Sequence, residues 1–157
     1  MTLHTSLLDA PLQHLRQLAA GMPPVVAMDF RFGHCDDEVL EMHAPLARNV
    51  NDKGTAFGGS MTSLMTFSAW ALVMLQLELA GQRADVFVAD SQVRYRAPVL
   101  GDLHARAALA PDQAWAPFLE TLAERGRSHI HMQAQVVLPE GLAAATLAGR
   151  YVAIARR

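Results

Sequence analysis

Hydrophobic positions recur along this chain with two different periods, and the switches between them mark out its elements. In residues 9–20, Leu12, Leu15 and Leu18 fall at steps of three, with Leu8 one turn before Leu12. That spacing predicts a short amphipathic helix, stopped by Gly21 and blocked by Pro23-Pro24. Residues 25–32 and 38–44 read as strands, with GHCDDE supplying turn chemistry between them. A long Asn- and Gly-rich connection follows, PLARNVNDKGTAFGG. A helix is then predicted from Ser60, as its cap or first-turn residue, to Leu79, with Gly81 ending it. Residues 85–96 and 103–109 read as strands, the first rich in β-branched and aromatic side chains. Trp115, Leu119 and Leu122 have helical spacing within 111–123. Residues 129–138 and 144–155 give two last strands, joined by a turn at Glu140-Gly141. Their alternation is imperfect, which predicts burial on both faces in places.

The helix at 60–79 decides the fold class. It is apolar nearly all round, and a helix of that kind sits inside a protein or a membrane. The run 60–77 has no charged residue but carries Ser60, Thr62, Ser63, Thr66, Ser68 and Gln76, and nothing beside it resembles a stop-transfer signal. A buried central helix in a small domain is the expectation, with no membrane partner. One such helix among about six strands predicts an α+β domain, an antiparallel sheet curved around a long central helix.

Composition narrows the function. A chain of 157 residues, 52% hydrophobic, supports a single domain over 1–157 with a substantial core. A charged fraction of only 18% suits further apolar surface hidden in an oligomer. The net charge is -2 and no Lys/Arg block occurs, so no nucleic-acid footprint is expected. The single cysteine, Cys35, rules out an intrachain disulfide and suits a reducing, cytoplasmic setting. The first 21 residues have neither a basic start nor a long apolar core, so no secretory signal is expected.

The chemistry points to residues 49–70, NVNDKGTAFGGSMTSLMTFSAW. If Gly59 and Ser60 open the helix, their amides lack intrahelical acceptors and sit at the positive end of the helix dipole. An acyl carbonyl held there would meet an oxyanion hole. A carboxylate or phosphate would be held equally well, and so would nothing beyond an ordinary helix cap. Asn51 and Asn49 either donate to a thioester oxygen or brace the loop. Thr66 lies seven residues after Gly59, about two turns along the helix, with Thr62 one turn earlier on the same side. Its hydroxyl either orients a water or a carboxylate, or bonds back to the carbonyl four residues before it. Phe30, Phe57, Met61, Met65 and Trp70 either line an acyl pocket or are ordinary core. Trp115 reads as packing. Arg94 and Arg96 either meet a phosphate-bearing carrier or form a solvated face. His43 and His104 fall on different predicted strands, and His129 and His131 share one strand face, compatible with two metal ligands, but no Cys or carboxylate of clear ligand spacing completes a set, so no metal or cofactor is expected. No GxSxG elbow, dinucleotide fingerprint or P-loop occurs at a suitable junction.

Three segments, APLARNVNDKGTAFGGSMTSLMTFSAWALVML, VRYRAPVLGDL and AGRYVAIA, make the chain resemble the thioesterase-like hotdog proteins over about residues 8–155. The resemblance is to the branch found as the C-terminal domain of some proteins assigned as acetyltransferases. It implies a hotdog fold, a homodimer or dimer of dimers with sites at the interface, and acyl groups carried on coenzyme A or acyl carrier protein. Many relatives carry an Asn, a loop Gly, then His-Gly-Gly, and an acid further along the helix. Here Asn51, Gly54 and Gly58-Gly59 match, but Phe57 stands at the histidine place and Thr66 at the acidic one. That departure weakens the expectation of ordinary hydrolysis. It suits the malonyl-acyl-carrier-protein decarboxylases of similar sequence, which supply acetyl groups for the start of fatty-acid synthesis. On that resemblance Asn51, Thr66 and Gly59 are the expected catalytic residues, and Asn49, Phe57, Gly58, Ser60 and Thr62 the expected substrate contacts. A thioesterase and a non-catalytic acyl-thioester binding module are the alternatives.

Overall fold

The computed structural model describes residues 2–157, with side chains from Leu7 onward. Its elements, in chain order, are α1 (Thr2–Ala20), α2 (Pro23–Met28), β1 (Arg31–Cys35), β2 (Val39–Ala44), a 3-10 turn (Leu46–Arg48), α3 (Gly58–Leu79), β3 (Ala84–Tyr95), β4 (Leu103–Leu109), α4 (Trp115–Arg125), β5 (Arg127–Val137) and β6 (Ala143–Ala155). The six strands form one antiparallel sheet in the order β1-β2-β4-β5-β6-β3. The helix α3 packs against β2, β3, β4, β5 and β6, so the sheet curves around it as expected.

Alternation explains why the sheet has one apolar face. Leu40, Met42 and Ala44 on β2 and Leu103, Ala105 and Ala107 on β4 point inward and are buried. Glu41 and His43, with His104 and Arg106 across from them, occupy the other face. On β5 the alternation is strict, with Ser128, Ile130, Met132, Ala134 and Val136 inward, so two-sided burial does not occur there. On β6 it does occur, at Tyr151, Val152 and Ala153.

One predicted strand is a helix. The segment expected to be a strand over 25–32 opens instead as α2, and β1 starts only at Arg31. The prolines read as blockers occupy the first turn of α2, where a missing N–H is harmless and the fixed φ suits a helix. Asp29, left-handed at φ 54°, ends the helix and turns the chain into β1.

By length and composition α3 could cross a membrane, but 67% of that window is buried inside the fold. Its polar residues are put to structural use toward the C-terminal half. The Ser68 hydroxyl donates to the Met65 carbonyl at 3.0 Å, and the Gln76 amide donates to the Asp37 carbonyl at 2.7 Å. Between the exposed Ser63 and the exposed C-terminal end, the open positions form one stripe with Thr62: Thr66, Trp70 and Met74, at steps of four residues.

That stripe runs beside β3, an edge strand. Among the described residues β3 pairs with β6 alone, and its other edge has no partner. It exposes Phe87, Val88 and Tyr95 at 56%, 43% and 56%. A 12-residue edge carrying apolar side chains is a template for pairing with another chain.

Candidate active site

The connection from β2 to α3 is a braced loop. Asn49, 3% exposed, donates from its side-chain amide to the carbonyls of Met28 (3.0 Å) and Pro45 (2.8 Å), and its own carbonyl accepts from the Phe57 amide at 2.7 Å. Asn51 closes the tip. Its Oδ1 accepts from the amides of Lys53 (2.8 Å) and Thr55 (3.1 Å), and its Nδ2 donates to Thr55 Oγ1 at 2.8 Å. Gly54, at φ 79°, takes the left-handed turn that this closure requires. Both asparagines therefore hold the loop, and neither presents an idle amide to a substrate in this structure. Of the two roles left open by sequence, bracing is the one observed.

What the loop delivers is a bare helix start. Phe57 is the N-cap, extended at φ -64° and ψ 131°, and no side chain among the described residues caps the helix. The first bonded amide is that of Met61, which donates to the Phe57 carbonyl at 3.1 Å. The amides of Gly58, Gly59 and Ser60 have no acceptor among the described residues. Ser60 is thus a first-turn residue, not the cap. Both glycines are packed by rings. A Cβ on Gly59 would lie 2.5 Å from Phe57 Cε1, and one on Gly58 would lie 3.4 Å from Tyr95 Cε1. The Phe57 ring itself is 55% exposed.

Tyr95 was not expected at the site. From the end of β3 its hydroxyl lies 2.5 Å from Thr62 Oγ1 and donates to the Gly58 carbonyl at 3.3 Å. Eight residues along α3, Trp70 Nε1 donates to the Val86 carbonyl near the other end of the strand, at 3.0 Å. The two bonds tie α3 antiparallel along β3, and Thr66 lies between them. Tyr151 donates to the Thr66 backbone carbonyl at 3.0 Å, but the Thr66 hydroxyl has no partner among the described residues. It does not bond back into its own helix.

The electrostatics are plain. The only charged side chain on α3 is Glu78, near its C-terminal end and 3.0 Å from His14 Nδ1. Asp52 and Lys53 in the loop pair with each other at 2.8 Å, well out in solvent. The helix start therefore offers amides, hydroxyls and the positive end of a dipole, with no carboxylate or imidazole on its face. Met61 and Met65 are buried core, whereas Phe30, Phe67 and Trp70 form a row of rings with centroids 5.1 and 5.5 Å apart. Surface cavities lie elsewhere among the described residues. One of about 460 Å³ lies between α1 and the β1–β2 turn, and one of about 300 Å³ lies on the outer sheet face around His131 and Arg150.

The sheet register gathers two histidines that lie far apart in the sequence. His43 and His104 are direct cross-strand partners with stacked rings, centroids 4.4 Å apart, and Glu41 stands two residues along on the same face. Burial, then the adjoining His104, lowers the His43 pKa, and Arg31 adds to this against the opposing pull of Glu41.

A family model described as putative thioesterase (yiiD_Cterm) matches residues 12–155. The structure of a protein of unknown function from Chlorobaculum tepidum TLS is similar at a TM-score of 0.85 and 25% identity, over 92% of this chain and 94% of that one. A putative thioesterase from Shewanella oneidensis is similar at a TM-score of 0.82 and 30% identity, over 93% and 99% of the two chains. A probable thioesterase from Pseudomonas aeruginosa, at 21% identity, shares the fold with a TM-score of 0.76 over 92% and 96%. The architecture is the hotdog fold expected from sequence.

Proposed function

The chain belongs to this thioesterase family, and from that premise we propose that it processes acyl thioesters at the start of α3, with decarboxylation of a malonyl thioester as its reaction. One observation carries the reading. Unpartnered amides open a helix that has no ionisable side chain before Glu78. Such a site stabilises developing negative charge but has no group to take a proton.

Decarboxylation needs that combination. The thioester oxygen accepts a hydrogen bond from the Gly59 amide or a neighbour. The Thr66 hydroxyl, helped by Thr62, donates to the malonyl carboxylate and holds it out of the thioester plane. The bond between the α-carbon and the carboxylate carbon breaks, and its electron pair enters the enolate. Carbon dioxide leaves, and the α-carbon takes a proton from water. The acetyl group stays on its carrier, coenzyme A or acyl carrier protein, whose phosphate Arg94 and Arg96 are exposed to meet. Asn49 and Asn51 act as positioning residues that fix the loop.

Hydrolysis is the second reading, favoured by the unpartnered Thr66 hydroxyl. That group can align a water against the thioester carbon, while the same amides hold the tetrahedral oxyanion. Incubation with malonyl-acyl carrier protein and malonyl-coenzyme A, read by mass, separates the readings. Acetyl thioester supports decarboxylation, and the faster substrate names the carrier. Free malonate and thiol overturn it in favour of hydrolysis. Tight binding with no product overturns both in favour of a binding module.

The reading also requires a second copy of the chain. Seven residues of helix rise roughly 10 Å, so one short acyl group cannot touch Gly59 and Thr66 of the same protomer. Pairing through the free edge of β3 would set one protomer's Thr66 beside its partner's helix start, in a homodimer. Mixing Gly59→Val with Thr66→Ala chains tests this. Shared sites leave one intact site per mixed dimer, restoring about a quarter of wild-type activity after random exchange. No recovery would sink the shared arrangement.

A further inference from the structure

On the outer face of the sheet, away from α3, Glu41, His43 and His104 bring one ligand atom each to within 4.8 Å of one another. We propose that these three side chains form a binding site for a divalent transition metal, zinc by preference, distinct from the acyl-thioester site.

The register builds the set. His43 and His104 face each other across β2 and β4, and Glu41 shares their face two residues along β2. Two strands thus supply three ligands on one side of a plane, and the remaining positions are left to water. His104 Nε2 is buried and makes no hydrogen bond among the described residues, although Glu41 Oε2 stands 3.3 Å away. A buried imidazole nitrogen without a partner is a costly thing to keep, and a cation between it and the carboxylate would satisfy both. Space is provided on β1. A Cβ on Gly33 would lie 2.6 Å from His43 Nε2, so only glycine lets that ring lie where it does.

Two imidazoles and one carboxylate suit zinc and its first-row neighbours and do not suit magnesium or calcium, which take oxygen ligands. Zinc–ligand distances of about 2.0–2.2 Å require the side chains to close inward around the ion. Their partial exposure allows this. Arg106 Nε, 3.8 Å from Glu41 Oε1, is the competing cation that zinc must displace from the carboxylate. Such an ion would clip β2 to β4.

Zinc chloride and cobalt chloride are the probes. Calorimetric titration of the full chain is expected to show one zinc per protomer, and cobalt to give the visible absorption of a protein-ligated ion. At zinc 100-fold above its Kd, the folded-to-unfolded ratio rises about 100-fold, read as a higher Tm. His104→Gln and Glu41→Gln should each weaken binding by more than the about 10–100-fold that an outer-shell loss costs. A His129→Ala/His131→Ala double variant, which removes the other outward histidine pair, should bind as wild type. If wild type takes up no zinc, or if the His129/His131 variant alone loses it, the assignment fails. Thioester turnover should be unchanged in Glu41→Gln, so failure here leaves the reading of α3 untouched.

Discussion

Replacing Thr66 with aspartate separates the two reactions more sharply than deleting its hydroxyl. The Thr66 side chain makes no hydrogen bond among the described residues, and the Tyr151 contact uses its backbone carbonyl, so the exchange breaks no bond described there. A carboxylate there faces the malonyl carboxylate. At about 4 Å the repulsion is about 1 kcal/mol in bulk water and about 4 kcal/mol at the effective dielectric of a protein surface. The site is half-buried, so malonyl decarboxylation should fall by about 5- to 1,000-fold. The same carboxylate is a general base, of a kind worth about 10²–10⁴ when well placed. Hydrolysis of an uncharged acyl thioester should therefore rise. Thr66→Val, which keeps the shape, loses a hydrogen bond to a charged group worth about 1.5–3 kcal/mol and should slow decarboxylation about 10- to 150-fold. Acetyl and malonyl thioesters are assayed side by side, with products read by mass and folding checked by circular dichroism. Wild-type decarboxylation by Thr66→Asp would refute the placement of the malonyl carboxylate at this position.

Three further outcomes follow from other parts of the chain. Asn49→Ala leaves the Met28 carbonyl without its donor and the Pro45 carbonyl with only the Arg48 amide, and should cost about 1–3 kcal/mol in urea unfolding; a change below about 0.5 kcal/mol would remove Asn49 as a brace. Burial, then the charge of Asp36, pushes the Cys35 thiol from 9.0 up to about 11. Disulfide-reagent labelling at pH 8 should therefore run about 100-fold slower than at an ordinary thiol and keep rising past pH 9.5, whereas a plateau near pH 9 would contradict the shift. At Asp36 partial burial pushes the pKa up, but the His34 hydrogen bond and the Glu38 and Val39 amides together bring it below the ordinary value. A depressed carboxylate contributes stability that is complete above its unfolded pKa and lost as the pH falls through its folded one. Asp36→Asn should flatten the fall of Tm below about pH 4, and an unchanged acid limb would show that Asp36 adds nothing there.

The central helix, five of the strands and the loop before α3 were legible because each has a local cause: an all-round apolar run, β-branched alternation, or Asn and Gly at turn positions. The segment at 25–32 was not. Its Val-Val-Ala reads as strand until Pro23-Pro24 are taken as the first turn of a helix, and propensity alone does not choose between these. At the site, residue types were legible but orientations were not. Asn51 could donate outward or inward, and only the positions of Lys53, Thr55 and Ala56 around it decide for the loop. Tyr95 could not be placed by spacing, since it reaches Thr62 across 33 residues of chain. The Glu41, His43 and His104 set was hidden for the same reason: it depends on cross-strand register, which sequence period does not fix.

The chemistry open to this protein is restricted by the helix that hosts it. α3 packs on five strands, so a charge on most of its faces would have to be desolvated among Leu64, Leu72 and Leu75. Apart from Ser63 and the two helix ends, the stripe from Thr62 to Met74 escapes, beside the edge strand β3. A site on such a helix can draw on backbone dipoles and hydroxyls at little cost, and on a carboxylate only where that stripe meets water. Thr66 lies on that stripe, half-buried. Its neutrality is not a demand of the fold, because its hydroxyl has no partner among the described residues and an acid there is compatible with the same packing. That is why the reading turns on Thr66 rather than on the glycine pair, which a hydrolase and a decarboxylase would use alike.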